Sequence, residues 1–509
     1  MPEQVHISYG DSPTEMVVMW ATRAAPESAS ILYYREGQLS SGQQAVGKWV
    51  EFVTGNENGT HFHHRVKLTN LEPGAKYFYS IQVDDYRSEI FTFISMNNRT
   101  DWTPNLLVYG DLGEKASSFS GLEKLKDTQL FSAVLHVGDF AYDMDEEGGK
   151  FNKNKLIVFS FKVGDAFMRR IQPIAAYLPY MTCPGNHEKK DDFIQYRTRF
   201  STPFTDWPIP LRKMWYSFDM GLIHFIAFST GVYLRVGKFA EEQRQWVISD
   251  LKKANASRAT RPWIVAFGHR PMYCSNKEPW NCEGNNFVIR KGLEDIFYEY
   301  AVDVVIAAHE HSYERTKPVY KDYVVGNHTN PGAPIYLITG AAGNKEGYSK
   351  FIKNEYQWSA HHLGEKAYIS YGTLQAVNKS HLHWTQFSLE DGALLDNVWI
   401  VQGSHGRFPV HLIPWHILHR SDMLLYFAVA FVTVVTMIMV VVIFYRIKRS
   451  GWRRYVMNVD AAAGRKGTIK PLLNEVDDDA DDIFDTNFTS MELVKRKPNG
   501  TTIDSDDEN

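Results

Sequence analysis

Short runs of alternating apolar and polar residues fill the first 97 residues of the chain, with turn-forming residues between them. Alternation places successive side chains on opposite faces of a strand, so seven such runs at regular spacing predict a β-sandwich. The runs are QVHISY, EMVVMWAT, ASILYY, KWVEFV, HHRVKLTNL, KYFYSIQV and SEIFTFI. His61, His63 and His64 lie in one of these strands, and we expect them at the surface rather than around a metal ion.

Leu71, Pro73, Gly74 and Tyr77 lie in and around the turn between the fifth and sixth runs. This arrangement resembles the tyrosine corner of fibronectin type III-like modules, in which a tyrosine hydroxyl bonds to backbone upstream. We therefore expect a fibronectin type III-like domain over residues 1–97, which serves as a scaffold for packing and oligomerisation and has no chemistry of its own.

Strand and helix patterns alternate after a polar linker, Asn98–Pro104, and continue to about residue 402. Gly121–Ser132 and Ala240–Lys253 have apolar residues at helical spacing, whereas Trp215–Ser229 has the pattern of two paired strands. This mixture predicts a two-sheet α/β sandwich over residues 104–402, with the loops at the strand ends converging on one edge.

Five apolar runs in this region end abruptly in residues that can bind metals. The motifs are LLVYGDLG with Asp111, VLHVGDFAY with Asp139 and Tyr142, CPGNHE with Asn186 and His187, WIVAFGHRP with His269, and VVIAAHEHSYE with His309 and His311. Any one of these residues alone is more often a turn former, a helix cap or a buried core residue. Together, their carboxylate, amide, imidazole and phenolate groups suit first-row transition metals, and phenolate favours ferric iron.

The ordered set GDLG, GDFAY, GNHE, GHRP and AHEH resembles the calcineurin-like metallophosphoesterases. Tyr142, three residues after Asp139, is similar to the arrangement of the purple acid phosphatases within that group. The resemblance covers roughly residues 3 to 400 and implies a four-layer α/β metallophosphoesterase sandwich after the N-terminal domain. It also implies Fe(III) held by Asp111, Tyr142 and His311, one divalent Zn, Mn or Fe(II) ion held by Asn186, His269 and His309, and Asp139 as the bridge between them.

The implied activity is hydrolysis of small phosphate monoesters by an acid phosphatase, with water activated by the two metals. His187 is then the catalytic residue that hydrogen-bonds the phosphoryl group or protonates the leaving alcohol. A phosphodiesterase or pyrophosphatase with the same centre, and a non-catalytic surface receptor with a vestigial enzyme fold, remain open. Plant relatives carry two histidines beyond the GHRP-like block, where this chain reads NKEPWNCEGNN, so substrate preference does not transfer.

The apolar run 423–445 is uncharged and long enough to cross a hydrocarbon core about 30 Å thick. The basic residues that follow it predict a single-pass protein with a cytosolic C-terminus and a lumenal or extracellular catalytic domain. Residues 446–509 are polar and acidic, and we expect them to be disordered. Candidate glycosylation sites precede the helix at Asn58, Asn98, Asn255, Asn327 and Asn378. The opening MPEQVHISYG does not resemble a signal peptide, so we expect either a missing first exon or numbering from near a mature N-terminus.

Composition adds few constraints to this picture. A net charge of −4 over 509 residues provides no basic surface, so no nucleic-acid partner is expected. Three cysteines cannot build a disulfide framework, although Cys274 and Cys282 could close one loop while Cys183 stays free and buried. The sequence leaves open whether the protein forms a homodimer.

Overall fold

The computed structural model places two compact units along the chain, Met1–Arg420 and Ser421–Asn509. The residues it describes are 1–52, 60–114, 116–145, 162–234, 237–277, 282, 286–353, 356–364, 366–409, 412–414 and 420–462. The predicted division into domains at residues 97 and 104 stays a prediction, because both parts belong to the first unit.

Two antiparallel sheets form the N-terminal sandwich, as predicted. One sheet has the strand order β1-β2-β6-β5, and the other has β4-β3-β7-β8 with β9 paired to β7. The strands are β1 Glu3–Tyr9, β2 Met16–Thr22, β3 Ala29–Arg35, β4 Gln43–Val46, β5 Lys48–Phe52, β6 His61–Leu68, β7 Lys76–Val83, β8 Tyr86–Arg87 and β9 Phe91–Ile94. Strands β4 and β8 were not predicted, because each is only a few exposed residues long. Tyr77 forms the predicted corner, since its hydroxyl accepts the amide of Glu72 at 2.8 Å.

The outer face of the first sheet packs against the following domain instead of facing water. Val17 and Met19 on β2 form a small apolar cluster with Trp207. Nearby, the Arg65 guanidinium donates to the hydroxyl of Ser201 at 2.8 Å. Both faces of this sheet are therefore covered, so alternation along its strands does not separate buried from exposed positions.

The prediction that the three histidines of β6 lie at the surface is wrong. His61, His63 and His64 are all buried, at 8%, 3% and 1% exposure. His61 Nδ1 lies 3.1 Å from a carboxylate oxygen of Asp165 in the next domain. His64 points the other way and stacks on Trp20 with ring centroids 4.7 Å apart. The cause is the domain contact on one face and the sandwich core on the other.

Two sheets pack face to face in the second domain. The six-stranded sheet has the order β12-β11-β10-β22-β23-β24, and the seven-stranded sheet has β13-β14-β15-β16-β20-β17-β21. Their strands are β10 Asn105–Tyr109, β11 Ala133–His136, β12 Tyr180–Thr182, β13 Tyr216–Met220, β14 Ile223–Ala227, β15 Trp263–Phe267, β16 Val304–Ala307, β17 Tyr313–Thr316, β20 Ile335–Thr339, β21 Ser359–His362, β22 Ser370–Asn378, β23 His381–Ser388 and β24 Leu394–Val401. A separate hairpin comprises β18 Val319–Tyr320 and β19 Tyr323–Val324.

Helices cover the outer faces of both sheets, which gives the predicted four layers. The helices of this domain are α1 Phe119–Asp127, α2 Lys162–Ala175, α3 Ile194–Arg199, α4 Gly231–Leu234, α5 Ala240–Ala256 and α6 Asn286–Glu299. One apolar cluster fills the space between the sheets, a second joins the six-stranded sheet to α1 and α2, and a third joins the seven-stranded sheet to α5 and α6. Helix α1 ends before the predicted Ser132, because Gln129 has a left-handed backbone with φ of 57°.

The cysteines pair as the sequence suggested. Cys274 and Cys282 form a disulfide, and Cys183 is free and buried. The bridge closes a loop that follows β15, which is one of the strands that lead into the predicted metal site.

All but the first residue of a single long helix, α7 Arg420–Ala462, belongs to the second unit. Its segment Tyr426–Arg449 has a mean hydropathy of 2.9 and, among the described residues, is the one helix long and apolar enough to cross a membrane. The helix extends beyond the predicted 423–445 span, so the predicted disordered tail is wrong for residues 446–462. Residues 463–509 lie outside the described residues, and the prediction for them is untested.

Candidate metal centre

The five predicted loops reach one edge of the sandwich, because each follows the carboxyl end of a parallel strand. Strands β10, β11 and β12 are parallel neighbours in one sheet, and β15 and β16 are parallel neighbours in the other. Four of the candidate ligands leave their strands with left-handed backbone conformations: Asp111 at φ 59°, Asp139 at 51°, Tyr142 at 59° and His309 at 71°. Such conformations cost about 1–3 kcal/mol each and tend to cluster at functional sites.

Glycines let these loops approach one another closely. A Cβ atom on Gly185 would lie 2.1 Å from a carboxylate oxygen of Asp139. Gly138 has φ of 80°, and a Cβ there would lie 2.7 Å from Nδ1 of His269. Larger residues at either position would therefore force the candidate ligands apart.

One group of side chains consists of Asp139, Asn186, His269 and His309. Nε2 of His269 lies 3.0 Å from Oδ2 of Asp139 and 3.1 Å from Oδ1 of Asn186. Asp139, His269 and His309 each offer a ligand atom within 4.8 Å of the others, and all three are buried. The structure thus brings together the four residues predicted around the divalent ion.

A second group consists of Asp111, Tyr142 and His311. The Tyr142 hydroxyl lies 3.1 Å from Oδ1 of Asp111 and 2.7 Å from Nε2 of His311. Nε2 of His311 is 3.7 Å from the same Asp111 oxygen. These are the three residues predicted around the ferric ion, so all seven predicted ligands fall into two compact groups.

Hydrogen bonds orient the imidazoles as metal ligands require. Nδ1 of His269 donates to the carbonyl of Val137 at 2.9 Å, and Nδ1 of His311 donates to the carbonyl of Gly347 at 2.9 Å. Each bond leaves Nε2 with a lone pair directed at its group. His309 Nδ1 is buried and, within the described part of the chain, has no hydrogen-bond partner.

The buried carboxylates also fit a cation site. Burial, reinforced by the charge of Asp139, raises the pKa of Asp111 well above its ordinary value. Cations placed between these groups would remove that penalty, because a buried charge is tolerated when it is paired or coordinates a metal. The donor set therefore fits two metal ions.

His187 lies beside both groups, where it was predicted. Its amide donates to Asp139 at 2.8 Å, and its Nδ1 lies 3.0 Å from Oδ1 of Asp143. Its ring packs over that of Tyr142, with centroids 4.4 Å apart. Burial alone would lower its pKa, but the hydrogen bond to Asp143 and the charge of Asp139 raise the pKa of His187 to about 9. Nε2 is 3.7 Å from Glu346.

Several residues of the site were not predicted from the sequence. The Glu188 carboxylate accepts the amides of Asp139, Phe140 and Gly185 at 3.0, 2.9 and 2.8 Å, which ties two of the ligand loops together. Its position directly after Asn186 and His187 in CPGNHE was the available signal. Arg270 Nη1 lies 2.7 Å from Nε2 of His309, and no sequence pattern distinguished it.

A cleft of about 450 Å³ opens over the two groups. It is lined by predicted site residues, by Lys277 from the connection after β15, and by Glu346 and Lys350 from the connection between β20 and β21. Lys277 belongs to NKEPWNCEGNN, where the sequence departs from the plant pattern, and it lines the cleft.

The candidate glycosylation sites differ in exposure. Asn98, Asn327 and Asn378 are exposed. Asn255 is only partly exposed, and its amide nitrogen donates to the carbonyls of Leu251 and Tyr300 at 3.2 and 2.9 Å. Asn58 lies outside the described residues. Glycosylation at all five positions stays a prediction, with Asn255 the least accessible of the four that are described.

Comparison with known proteins decides the family. The chain matches the family model for the purple acid phosphatase N-terminal domain over residues 2–95, calcineurin-like phosphoesterase over 104–313, and iron/zinc purple acid phosphatase-like protein C over 333–397. Acid phosphatase type 7 of Mus musculus is 41% identical over 434 residues, which are 81% of this chain and 93% of that protein. The chain belongs to the purple acid phosphatase family. Acid phosphatase type 7 of Homo sapiens is also 41% identical, over 80% of this chain and 92% of its own.

More distant relatives agree with this assignment. Purple acid phosphatase 1 of Ipomoea batatas is 27% identical over 79% of this chain and 84% of its own. The structure of purple acid phosphatase PPD1 from yellow lupin (Lupinus luteus) seeds has a TM-score of 0.65 at 20% identity, and the match covers 79% of this chain and 74% of that one. The predicted fold class and the predicted enzyme class, an acid phosphatase acting on phosphoric monoesters, are confirmed by these relationships. The family implies a dinuclear metal centre, while the identity of the metals and the role of each residue remain predictions.

Proposed function

We propose that this purple acid phosphatase hydrolyses phosphate monoesters at a centre of one Fe(III) and one divalent Zn, Mn or Fe(II) ion. The observation that carries the proposal is the division of seven side chains into two adjoining groups beneath one cleft. Asp111, Tyr142 and His311 would hold the ferric ion, because their donor set includes a phenolate. Asn186, His269 and His309 would hold the divalent ion.

Asp139 would bridge the two ions, since its carboxylate lies in contact with the second group and its charge acts on Asp111 of the first. The bound metals would polarise the phosphoryl oxygens and lower the pKa of water, which supplies the nucleophile. During hydrolysis the water oxygen bonds to phosphorus, the ester P–O bond breaks, and the alcohol departs with the ester oxygen and one proton.

His187 would supply that proton. It lines the cleft, and Asp143 holds its Nδ1 at 3.0 Å, whereas Nε2 lies at a longer 3.7 Å from Glu346 and would be the nitrogen that donates to the substrate. The same imidazole in its protonated form can donate a hydrogen bond to a phosphoryl oxygen. The intact grouping of all seven ligands favours an enzyme over a vestigial receptor, because a decayed site would be expected to have lost ligands.

The apolar helix suggests a membrane anchor, and we propose that it spans the membrane once. Basic residues crowd its C-terminal side, at Arg446, Lys448, Arg449, Arg453 and Arg454, with Arg420 on the other side. Positive charge is retained on the cytoplasmic face, so the catalytic domain would be lumenal or extracellular. Glycosylation at exposed Asn98, Asn327 and Asn378 would agree with that orientation.

The proposed function is tested by metal analysis and phosphatase assays on the full chain and on Asp139→Asn. We expect two ions per chain in the wild type and hydrolysis of p-nitrophenyl phosphate. The variant should lose activity and bind less metal at both positions, because the bridging charge holds two cations together. Asp101→Asn, at an exposed carboxylate, is the matched control. Two tightly bound ions and normal turnover in Asp139→Asn would rule out the bridging role.

A further inference from the structure

We infer that Lys277 and Lys350 form a subsite for a second phosphate group on the leaving-group side of the substrate. The enzyme would then favour compounds such as nucleoside diphosphates and pyrophosphate, in which the leaving group itself carries phosphate. The inference rests on the proposed function and names a substrate class for the same site. Lys350 is contributed by the connection between β20 and β21, which supplies none of the seven predicted ligands, and Lys277 by the connection after β15, beyond His269.

The two loops pair with each other beside the cleft. The amide of Lys277 donates to the carbonyl of Lys350 at 2.7 Å, and the amide of Ile352 donates to the carbonyl of Ser275 at 2.9 Å. Asn276 and Phe351 form the β-bridge between them. The backbones of Lys277 and Lys350 are thus adjacent, so their charges act on one region of space.

This paired segment is fixed on both sides. The Cys274–Cys282 disulfide closes the loop that carries Lys277. In the partner loop, Ser349 Oγ accepts the amide of the candidate ligand His311 at 2.9 Å, and the amide of Ser349 donates to the carbonyl of His311 at 3.2 Å. The lysine backbones therefore keep a defined position relative to the metal centre, which a subsite for a neighbouring phosphate requires.

Charge in the cleft is unevenly distributed. Glu346 and Asp143 are engaged with His187, at 3.7 and 3.0 Å. Lys277 and Lys350 are exposed, line the same cleft, and have no ion pair within the described residues. A phosphate is the group that would pair with two adjacent ammonium ions, and Lys is a common phosphate binder.

The size of the cleft also suits such a substrate. A cleft of about 450 Å³ is at the lower end of the range for small-ligand sites. A terminal phosphoryl group at the metal centre leaves room for one neighbouring phosphate, while a nucleoside would extend outward past the lysines. Lys277, within the segment where the sequence departs from the plant pattern, would then contribute to recognition of the leaving group.

The test compares ADP with AMP, which differ by the second phosphate. We expect the full-length wild type to have the higher kcat/KM for ADP. In Lys277→Gln/Lys350→Gln the ratio of the ADP value to the AMP value should fall about tenfold, since each exposed ion pair contributes a factor of a few. The ADP value should also fall more steeply with added salt in the wild type than in the variant.

Binding provides a readout independent of turnover. Methylenediphosphonate, which cannot be hydrolysed at its bridge, should bind the wild type about tenfold more tightly than it binds the double Gln variant. Lys277→Arg/Lys350→Arg should restore binding, because the charges return. Lys252→Gln/Lys379→Gln removes two exposed charges that do not line the cleft and is the matched control.

The outcomes separate this inference from the proposed function. An unchanged ADP-to-AMP ratio and unchanged methylenediphosphonate affinity, in a double Gln variant that still hydrolyses AMP, would overturn the subsite and leave the phosphatase in place. If the metal-loaded wild type hydrolyses neither nucleotide, the proposed function is wrong, and methylenediphosphonate binding still decides the role of the lysines. Single Lys277→Gln and Lys350→Gln variants, each with part of the effect, replace the double variant if it folds poorly.

Discussion

Arg199 holds the N-terminal sandwich and the catalytic domain together, and its removal should destabilise both. Its side chain is 1% exposed. Its three nitrogens donate to Gln4 at 2.8 Å, Asp165 at 2.9 Å and Gln195 at 2.8 Å. Asp165 also pairs with His61 of β6. Burial alone would raise the pKa of Asp165, but Arg199 and His61 hold this pKa below its ordinary value.

Replacing Arg199 by Met keeps most of the side-chain volume and leaves Asp165 as a buried charge with a weaker partner. Breaking such a pair from one side typically costs about 3–5 kcal/mol. Unfolding entropy of about 2.1 cal/mol/K per residue converts this loss into a fall in Tm of about 3–6 °C for a unit the size of Met1–Arg420. Scanning calorimetry of the full chain at constant pH measures the shift.

Two further variants show whether the buried charge is the cause. Arg199→Met/Asp165→Asn should recover part of the lost stability, because no uncompensated carboxylate remains. Arg99→Met breaks the Arg99–Asp101 pair, whose side chains are 68% and 66% exposed, and should not change Tm measurably. A Tm for Arg199→Met equal to that of Arg99→Met would refute the reasoning.

Three other predictions concern Tyr142, His224 and the C-terminal tail. Tyr142→Phe should remove the purple or pink colour expected from a phenolate bound to ferric iron, and a colourless, iron-loaded wild type in a visible spectrum would contradict that assignment. His224 lies between Asp219 and Asp250, whose hydrogen bonds outweigh burial and raise its pKa to about 9. This pKa exceeds the unfolded value of about 6.5. His224 therefore contributes roughly 3 kcal/mol to the free energy of unfolding below pH 6.5, and this contribution is lost as pH rises through 9. Between pH 6.5 and 9, the Tm of His224→Gln should therefore fall less than the Tm of the wild type. Equal slopes of Tm against pH in the two proteins would refute this. An antibody against 460–509 should label intact cells only after permeabilisation, whereas labelling without it would reverse the proposed orientation.

The sequence predicted most of the metal centre because its residues lie in local patterns. Each candidate ligand follows a short apolar run, and a parallel strand delivers whatever follows it to the same edge of the sheet. Asp111, Asp139 and His269 could therefore be grouped without knowledge of the tertiary structure. Tyr142 needed the family resemblance as well, because a tyrosine after a strand has no local signal of metal binding.

The errors arose where one part of the chain covers another. His61 and His63 occupy alternate positions in β6, which is the pattern of a half-exposed strand, yet the second domain covers that face. Periodicity reports how side chains are distributed around a strand and carries no information on what packs against each side. The predicted end of helix α7 was wrong for a different reason. The polar residues after the apolar run continue the helix instead of ending it.

The contacts of Glu188, which fix the backbone geometry of the site, could not be predicted from the sequence either. The left-handed backbone at Asp139 is unfavourable for a residue other than glycine, so the surrounding structure must hold it. Glu188 does this by accepting the amides of Asp139, Phe140 and Gly185, and its carboxylate is buried without a cation of its own among these contacts. The loops that carry Asp139 and Asn186 are consequently joined by protein groups alone. The strain is thus stored in the fold, so metal ions bound by Asp139 and Asn186 would find these ligands already assembled and would not need to order the two loops.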